Sequence, residues 1–197
     1  MSPHRLCLAA LLVLLGVPAL AQSKSDSRPI GTYGNWKAYK FNDKDQPVCY
    51  MTMSKKFPAG KKLRRNEAFL MITHRPAENS KDVVSYVAGY MFKPLSSVTV
   101  DIGNKSFDLF TQKDTAWSRD AATDHALAAA IRDGANIKIA GTPEARGADP
   151  VTDILNLKGS AAAYQAIGKA CGYPVEAPVK PKKAAPAKPG KKNTKHP

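Results

Sequence analysis

Cys49 and Cys171, set apart by most of the chain, limit what this sequence can fold into more than any other feature. The remaining cysteine, Cys7, lies in an N-terminal stretch that reads as a secretory signal. Arg5 precedes an apolar run from Leu6 to Leu15, too short to span a bilayer, and Ala19-Leu20-Ala21 fits the small-residue rule for cleavage. Residues 1–21 are therefore expected to be removed. The chain would then start at Gln22 and reside in the oxidising periplasm, at the outer membrane or outside the cell. Cys7 sits too early in the apolar run to be a lipid-attachment cysteine. Two cysteines allow one pairing, and a Cys49–Cys171 bridge would contribute about 4–5 kcal/mol in the loop-entropy picture. Two separate buried thiols are the alternative. No CxxC or HxxxH spacing supplies further ligands, so neither a metal nor another cofactor is expected.

Residues 22–29 form a polar lead-in, residues 30–173 have the length and apolar content of one domain, and residues 174–197 are built of Pro, Ala, Lys and Gly. This last segment lacks apolar periodicity and is expected to be a disordered, cationic tail. Within the domain, β-branched and aromatic runs separated by turns predict strands at Trp36 to Phe41, Val48 to Met53, Ala68 to Thr73 and Val83 to Tyr90. The residues Asn42 to Asp45 read as a turn, and Ala68 to Thr73 as a fully buried strand. Val98, Val100 and Ile102 alternate with polar neighbours, and Gly103-Asn104 turns the chain into a partner strand from Phe107 to Thr111. Helical spacing predicts helices over Thr123 to Arg132, stopped by Gly134, and over Ser160 to Ala170, with Ser160 as a cap. Ile137 to Ile139 resumes strand alternation. The fold class expected is mainly β, a β-sandwich or open β-barrel with two short helices packed against it. The bridge would then tie the final helix to the second of these strands.

The formal charge is +14. The tail carries Lys180, Lys182, Lys183, Lys188, Lys191, Lys192 and Lys195 against Glu176 alone, a net of +6; with Arg5 removed, +7 remains on residues 22–173. A second cationic group, Lys55, Lys56, Lys61, Lys62, Arg64 and Arg65, predicts a basic loop. Such charge attracts polyanions through long-range, salt-sensitive fields. In an exported chain the expected partner is an anionic envelope or host-cell surface rather than nucleic acid. No second long apolar stretch follows the signal, so association with a membrane is expected to be peripheral rather than integral.

More specific are the runs THRPAENSKDVVSYVAGY (73–90), VTVDIG (98–103), FDLFTQKDTAW (107–117), DAATD (120–124) and TDILNLKGSAAAYQAI (152–167). In this order, across essentially the whole domain and with both cysteines in place, they resemble the invasion-associated locus B protein family. The resemblance implies a secreted or periplasmic alphaproteobacterial protein, linked in some pathogens to invasion of host cells such as erythrocytes. It implies no catalytic residues, because the family has no established activity. The basic tail is not part of the shared domain.

The residues themselves give weak signals for catalysis. His74 and His125 could be joined with Ser85, Ser118, Asp120 and Asp124 into a hydrolase triad, but no G-x-S-x-G elbow occurs. A hydrogen-bonded His74 at a strand end and a solvent-facing His125 are expected instead. Asp101 and Asp108, on the two arms of the proposed hairpin, suit either general acid–base work or a solvated face beside Lys105 and Lys113. Met51 and Met53, beside Cys49, and Met71 suit Cu(I) or, more simply, core packing. Of the aromatics Trp36, Tyr39, Tyr86, Tyr90, Phe92 and Trp117, most large rings read as core, and the pair Tyr90 and Phe92 is the best candidate for exposure and contact with a partner. The reading is an exported, non-enzymatic, disulfide-stabilised envelope protein. An accessory or inhibitor module that binds a protein partner comes second, and an unrecognised hydrolase third.

Overall fold

Two-residue turns set the local order of the chain. Gly34-Asn35 joins β1 (Arg28–Tyr33) to β2 (Trp36–Asp43), and Lys44-Asp45 joins β2 to β3 (Gln46–Lys55). Lys44 and Asp45 both have positive φ, 47° and 65°, the backbone hand that matches the twist of a hairpin. Next in the chain come β4 (Ala68–Arg75) and β5 (Ser80–Val87), then the meander β6 (Ser97–Ile102), β7 (Lys105–Gln112) and β8 (Thr115–Trp117). Helix α1 (Ala121–Asp133) leads to β9 (Asn136–Gly141) and β10 (Val151–Asn156), and α2 (Ser160–Ala170) follows. The computed structural model describes residues 27–57 and 63–173. The expected signal, most of the lead-in, Lys61, Lys62 and the tail with Lys180, Lys182, Lys183, Lys188, Lys191, Lys192 and Lys195 lie outside the described residues.

All ten strands belong to one antiparallel sheet in the order β1-β2-β3-β4-β5-β8-β7-β6-β9-β10. The sheet is not closed by pairing of β1 with β10, so the mainly β class holds in its open form. The two ends nevertheless meet. The Asn35 N–H donates to the Lys158 carbonyl at 3.0 Å, and its side-chain amide donates to the Asn156 carbonyl at 2.9 Å. Gly159 lies so close to the β1–β2 turn that a Cβ there would sit 1.9 Å from the Tyr33 carbonyl oxygen.

Inward positions of the sheet and the apolar stripes of both helices make one core. Trp36, Met51, Leu70, Ile72 and Tyr86 come from the first half of the sheet, and Leu109, Ile137 and Ile139 from the second. Leu127 and Ile131 of α1 and Ile167 of α2 complete it. Each such fully buried side chain stabilises the fold by roughly 1.5–3 kcal/mol. Helix α1 also completes a strand edge. Strand β8 covers β5 only from Ser85 to Val87, and beyond it the Val84 N–H donates to the Asp124 carboxylate at 2.9 Å. The start of α1 is capped by Asp120, whose carboxylate accepts the Thr123 N–H at 2.7 Å.

Cys49 in β3 is disulfide-bonded to Cys171 at the end of α2, with Cα atoms 6.0 Å apart. The bridge thus ties the last helix to the strand expected from the sequence. Other expectations need revision. Ala68 to Thr73 is not uniformly buried: β4 alternates, and Phe69 points outward at 36% exposure. Ser160 is the first residue of α2 and not its cap. Gly159 holds that place, and the Ser160 hydroxyl donates to the Arg132 carbonyl at 3.0 Å, joining the two helices.

Candidate functional site

The basic loop is the first candidate, and the structure divides it. Lys55, Lys56 and Arg64 are exposed. The side chain of Arg65, expected among the surface cations, is buried at 6% exposure. Its Nη1 donates to Asp153 Oδ1 at 2.7 Å and its Nη2 to Asp153 Oδ2, while Nε donates to the Ala88 carbonyl at 2.8 Å. Tyr86 donates its hydroxyl to the same Asp153 oxygen and accepts from Arg65 Nη2 at 3.0 Å. The guanidinium plane lies 3.7 Å from the Phe57 ring centroid and 5.1 Å from that of Tyr90. Four of its five N–H donors are engaged, the bidentate carboxylate neutralises its charge and two aromatic rings pack near it, so Arg65 has little left for an external anion. It holds the loop to β10.

Tyr90 and Phe92 are corrected for the same reason. They are 6% and 3% exposed, pack edge to face at 5.1 Å, and belong to the core. Tyr90 lines the inner side of the Arg65 site, and burial pushes its phenol up to about 12. The partner-contact role expected for the pair has no exposed ring to rest on.

Around Asp82 the sheet gathers the two histidines. Asp82 is 4% exposed and adopts a left-handed backbone, φ 65°, at an irregularity in the β4–β5 ladder. Its Oδ1 accepts the Tyr164 hydroxyl at 2.6 Å, and its Oδ2 accepts from His125 Nδ1 at 2.7 Å. Its backbone N–H donates to His74 Nδ1 at 3.1 Å, so that nitrogen carries no proton. His74 is fully buried between the rings of Tyr164 and Tyr173, at 5.5 and 5.3 Å. Burial lowers its pKa to about 4, against the pull of the nearby Asp82 carboxylate. His74 therefore behaves as the expected hydrogen-bonded residue near a strand end. His125 is half exposed and anchored to Asp82 rather than wholly solvent-facing.

A cleft of about 390 Å³ beside this cluster is lined by Lys81, Ser118, Arg119, Asp120, Asp124 and His125 among others. It brings together four of the residues considered for a triad. Three of them have other work: Asp120 caps α1, Asp124 closes the β5 edge and His125 is held by Asp82. Burial raises the Asp124 carboxyl, and the Val84 N–H counters the rise. Ser85 is buried in β5, and His74 lies in the core rather than in the cleft.

The hairpin carboxylates face solvent. Asp108 accepts the Thr99 hydroxyl at 3.1 Å, and Asp101 accepts that of Ser106 at 2.7 Å, with Lys138 3.4 Å away. Met51 and Met53 point into the core, whereas Met71 lies on the opposite face, opposite Thr52. The three thioethers do not converge. Among the described residues no group of three or more His, Cys, Asp or Glu side chains could hold a metal ion, and no helix is long and apolar enough to cross a membrane.

Sequence reasoning missed Asp82, Asp153 and Tyr164. A period-2 reading of Val151, Asp153 and Leu155 would have put a carboxylate on an inward face, where it requires a cation.

A family model described as Invasion associated locus B (IalB) protein matches residues 36–168, more than half of the chain. Among solved structures, the chain is similar to the crystal structure of invasion associated protein b from Bartonella henselae, at 17% identity and a TM-score of 0.51. The alignment covers 71% of this chain and 96% of that one, a likeness of fold. No curated protein matches the sequence.

Proposed function

The chain belongs to the Invasion associated locus B family, and on that premise we propose that it is an exported, non-enzymatic protein of the cell envelope that supports invasion of host cells by binding anionic surfaces. The family match carries this reading. The family has no known catalytic activity, and Asp120, Asp124 and His74 are engaged in capping, edge closure and a core hydrogen bond. Export is supported by the signal-like residues 1–21 and by a domain whose two cysteines are joined, a bond that persists in oxidising compartments.

Anionic-surface binding draws on Lys56 and Arg64, which are exposed beside the loop, on Lys55, exposed at the end of β3 with its Nζ also donating to the Ile154 carbonyl, on Lys61 and Lys62, and on the seven tail lysines. Arg65 leaves that set because Asp153 already neutralises it. Each basic group near an anionic surface contributes about 1 kcal/mol, and salt weakens the sum. Deletion of residues 174–197 is expected to lower association with bacterial envelope and host-cell membranes at low and at moderate salt. Unchanged association at both salt concentrations would remove the tail from the reading.

A further inference from the structure

The sheet has two outer faces of different character. Outward positions of β9, β6 and β7 carry Lys138, Asp101, Thr99, Asp108 and Ser106, as a solvated face should. Across β2, β3, β4, β5, β8 and β7, by contrast, one outward row runs Lys37, Thr52, Met71, Ser85, Trp117 and Phe110, in which the small Ser85 is itself covered while Met71, Trp117 and Phe110 are partly exposed. Tyr39 and Tyr50 stack at 5.1 Å on the row beside it, and Phe41 meets Tyr50 edge to face at 6.1 Å. On the other side, Phe69 and Val87 are cross-strand partners.

These rings and aliphatics are only partly buried, by their sheet neighbours. The half-buried side chains packed on the core, such as Ile30, Tyr33, Phe107 and Val151, are a different set. Both helices lie on the inner side, where Tyr164 and His125 reach Asp82 and Cys171 reaches Cys49. An apolar face of several strands is thus left without a second layer.

Charge selects what fits it. Lys37 is exposed at one end of the long row, and the Arg119 guanidinium lies 5.8 Å from the Phe110 ring at the other. The span between them is about 24 Å at the usual strand spacing. Among the described outward positions of β2 to β5 and β8, the acidic side chain is Asp43, which is paired with Arg75 at 3.1 Å. Asp108, outward and exposed, stands on β7 two residues from Phe110, outside these strands; over β2 to β5 and β8 themselves a second copy of the chain would bring cation against cation with no unpaired carboxylate to compensate. The partner has to offer negative charge along both ends and an apolar phase between them. Headgroups above acyl chains do both, and Trp and Tyr rings flanked by basic side chains suit that boundary.

We infer that the outer face of β2–β3–β4–β5–β8 is a docking surface for anionic lipid bilayers, with Met71, Tyr50 and Trp117 at the headgroup level and Lys37 and Arg119 on anionic headgroups. This deepens the anionic-surface reading and rests on it, and it moves the contact from the loop and tail to the sheet.

Trp117 makes the test direct, because the other tryptophan, Trp36, is fully buried in the core and serves as a constant background. The purified protein is mixed with vesicles of phosphatidylglycerol and phosphatidylcholine, or of phosphatidylcholine alone. Blue-shifted Trp117 emission and quenching by brominated lipid are expected with the anionic vesicles. Trp117→Phe should abolish the signal, and Lys37→Glu should lower the partition coefficient about tenfold or more with an unchanged thermal melt. Vesicle binding without a Trp117 response, lost on deleting residues 174–197, would overturn this inference and leave the anionic-surface reading standing. No binding to anionic vesicles would remove both. A photo-crosslinker at position 71 that labels an acidic protein and no lipid in envelope extracts would also overturn it, in favour of a protein partner.

Discussion

His74 shows how one buried group couples this fold to pH. In the folded chain its imidazole is neutral down to about pH 4, because burial opposes the charged form. An unfolded chain takes up the proton near pH 6.5. As pH falls through this window the unfolded state binds a proton that the folded state refuses, so stability drops. Between pH 7 and pH 5 the loss is about 2 kcal/mol from this residue. Urea midpoints at the two pH values measure it, and His74→Asn should flatten the slope by about that amount. Arg65 teaches a different lesson about reading residues from sequence. Nothing in the run from Lys61 to Arg65 separates Arg64, which is exposed, from Arg65, whose side chain is buried. The difference is made by Asp153, 88 positions away, and by Tyr86 and Tyr90. A charge run reads as solvated because most are. Identifying the exception requires the partner, and the partner lies on a strand the pattern did not reveal.

Among the elements, those with local causes were legible. The hairpin of β6 and β7 follows from alternation and the Gly103-Asn104 turn, α1 from its apolar spacing and Gly134, and α2 from the stripe ending at Cys171. Strands β1, β8 and β10 were missed. β1 holds Pro29 and Gly31, weak strand formers tolerated at a sheet edge; β8 has three residues; and β10 places Asp153 inward, which breaks the apolar alternation. The outward aromatics were misjudged as well. β4 has apolar residues on both faces, and sequence alone reads that as complete burial, whereas the sheet leaves one of its faces uncovered. Close approach at α2 supplies a prediction at this scale. Gly159 has φ 95°, and a side chain there would collide with the Tyr33 carbonyl. Gly159→Ala is expected to destabilise by well over 1 kcal/mol, whereas Gly147→Ala, which meets nothing within 4 Å, should cost no more than about 1 kcal/mol. Chemical denaturation of the two variants makes the comparison.

For the molecule as a whole, the mainly β class and the cysteine pairing could be read in advance, and the pairing has a measurable weight. The bridge spans 122 positions and joins α2 to β3. Reducing it, or replacing Cys49 and Cys171 by Ala, is expected to cost about 2–5 kcal/mol and to lower Tm. Melts with and without reductant check this, and an unchanged Tm after complete reduction would contradict it. The order of the strands was less accessible. Placing β8 rather than β6 beside β5 depends on how the meander docks, and helix α1 then has to close the edge that β8 is too short to cover.

Two edge strands remain in this sheet, and free edges are templates on which other chains can add strands. Here the templates are blunted. The Ile154 carbonyl of β10 accepts Lys55 Nζ at 2.9 Å, the Asn156 carbonyl accepts the Asn35 amide, and Pro29 and a register shift interrupt β1. At the seam, side chains and turn amides take up edge carbonyls on which another strand would otherwise grow, which works against edge-to-edge polymerisation.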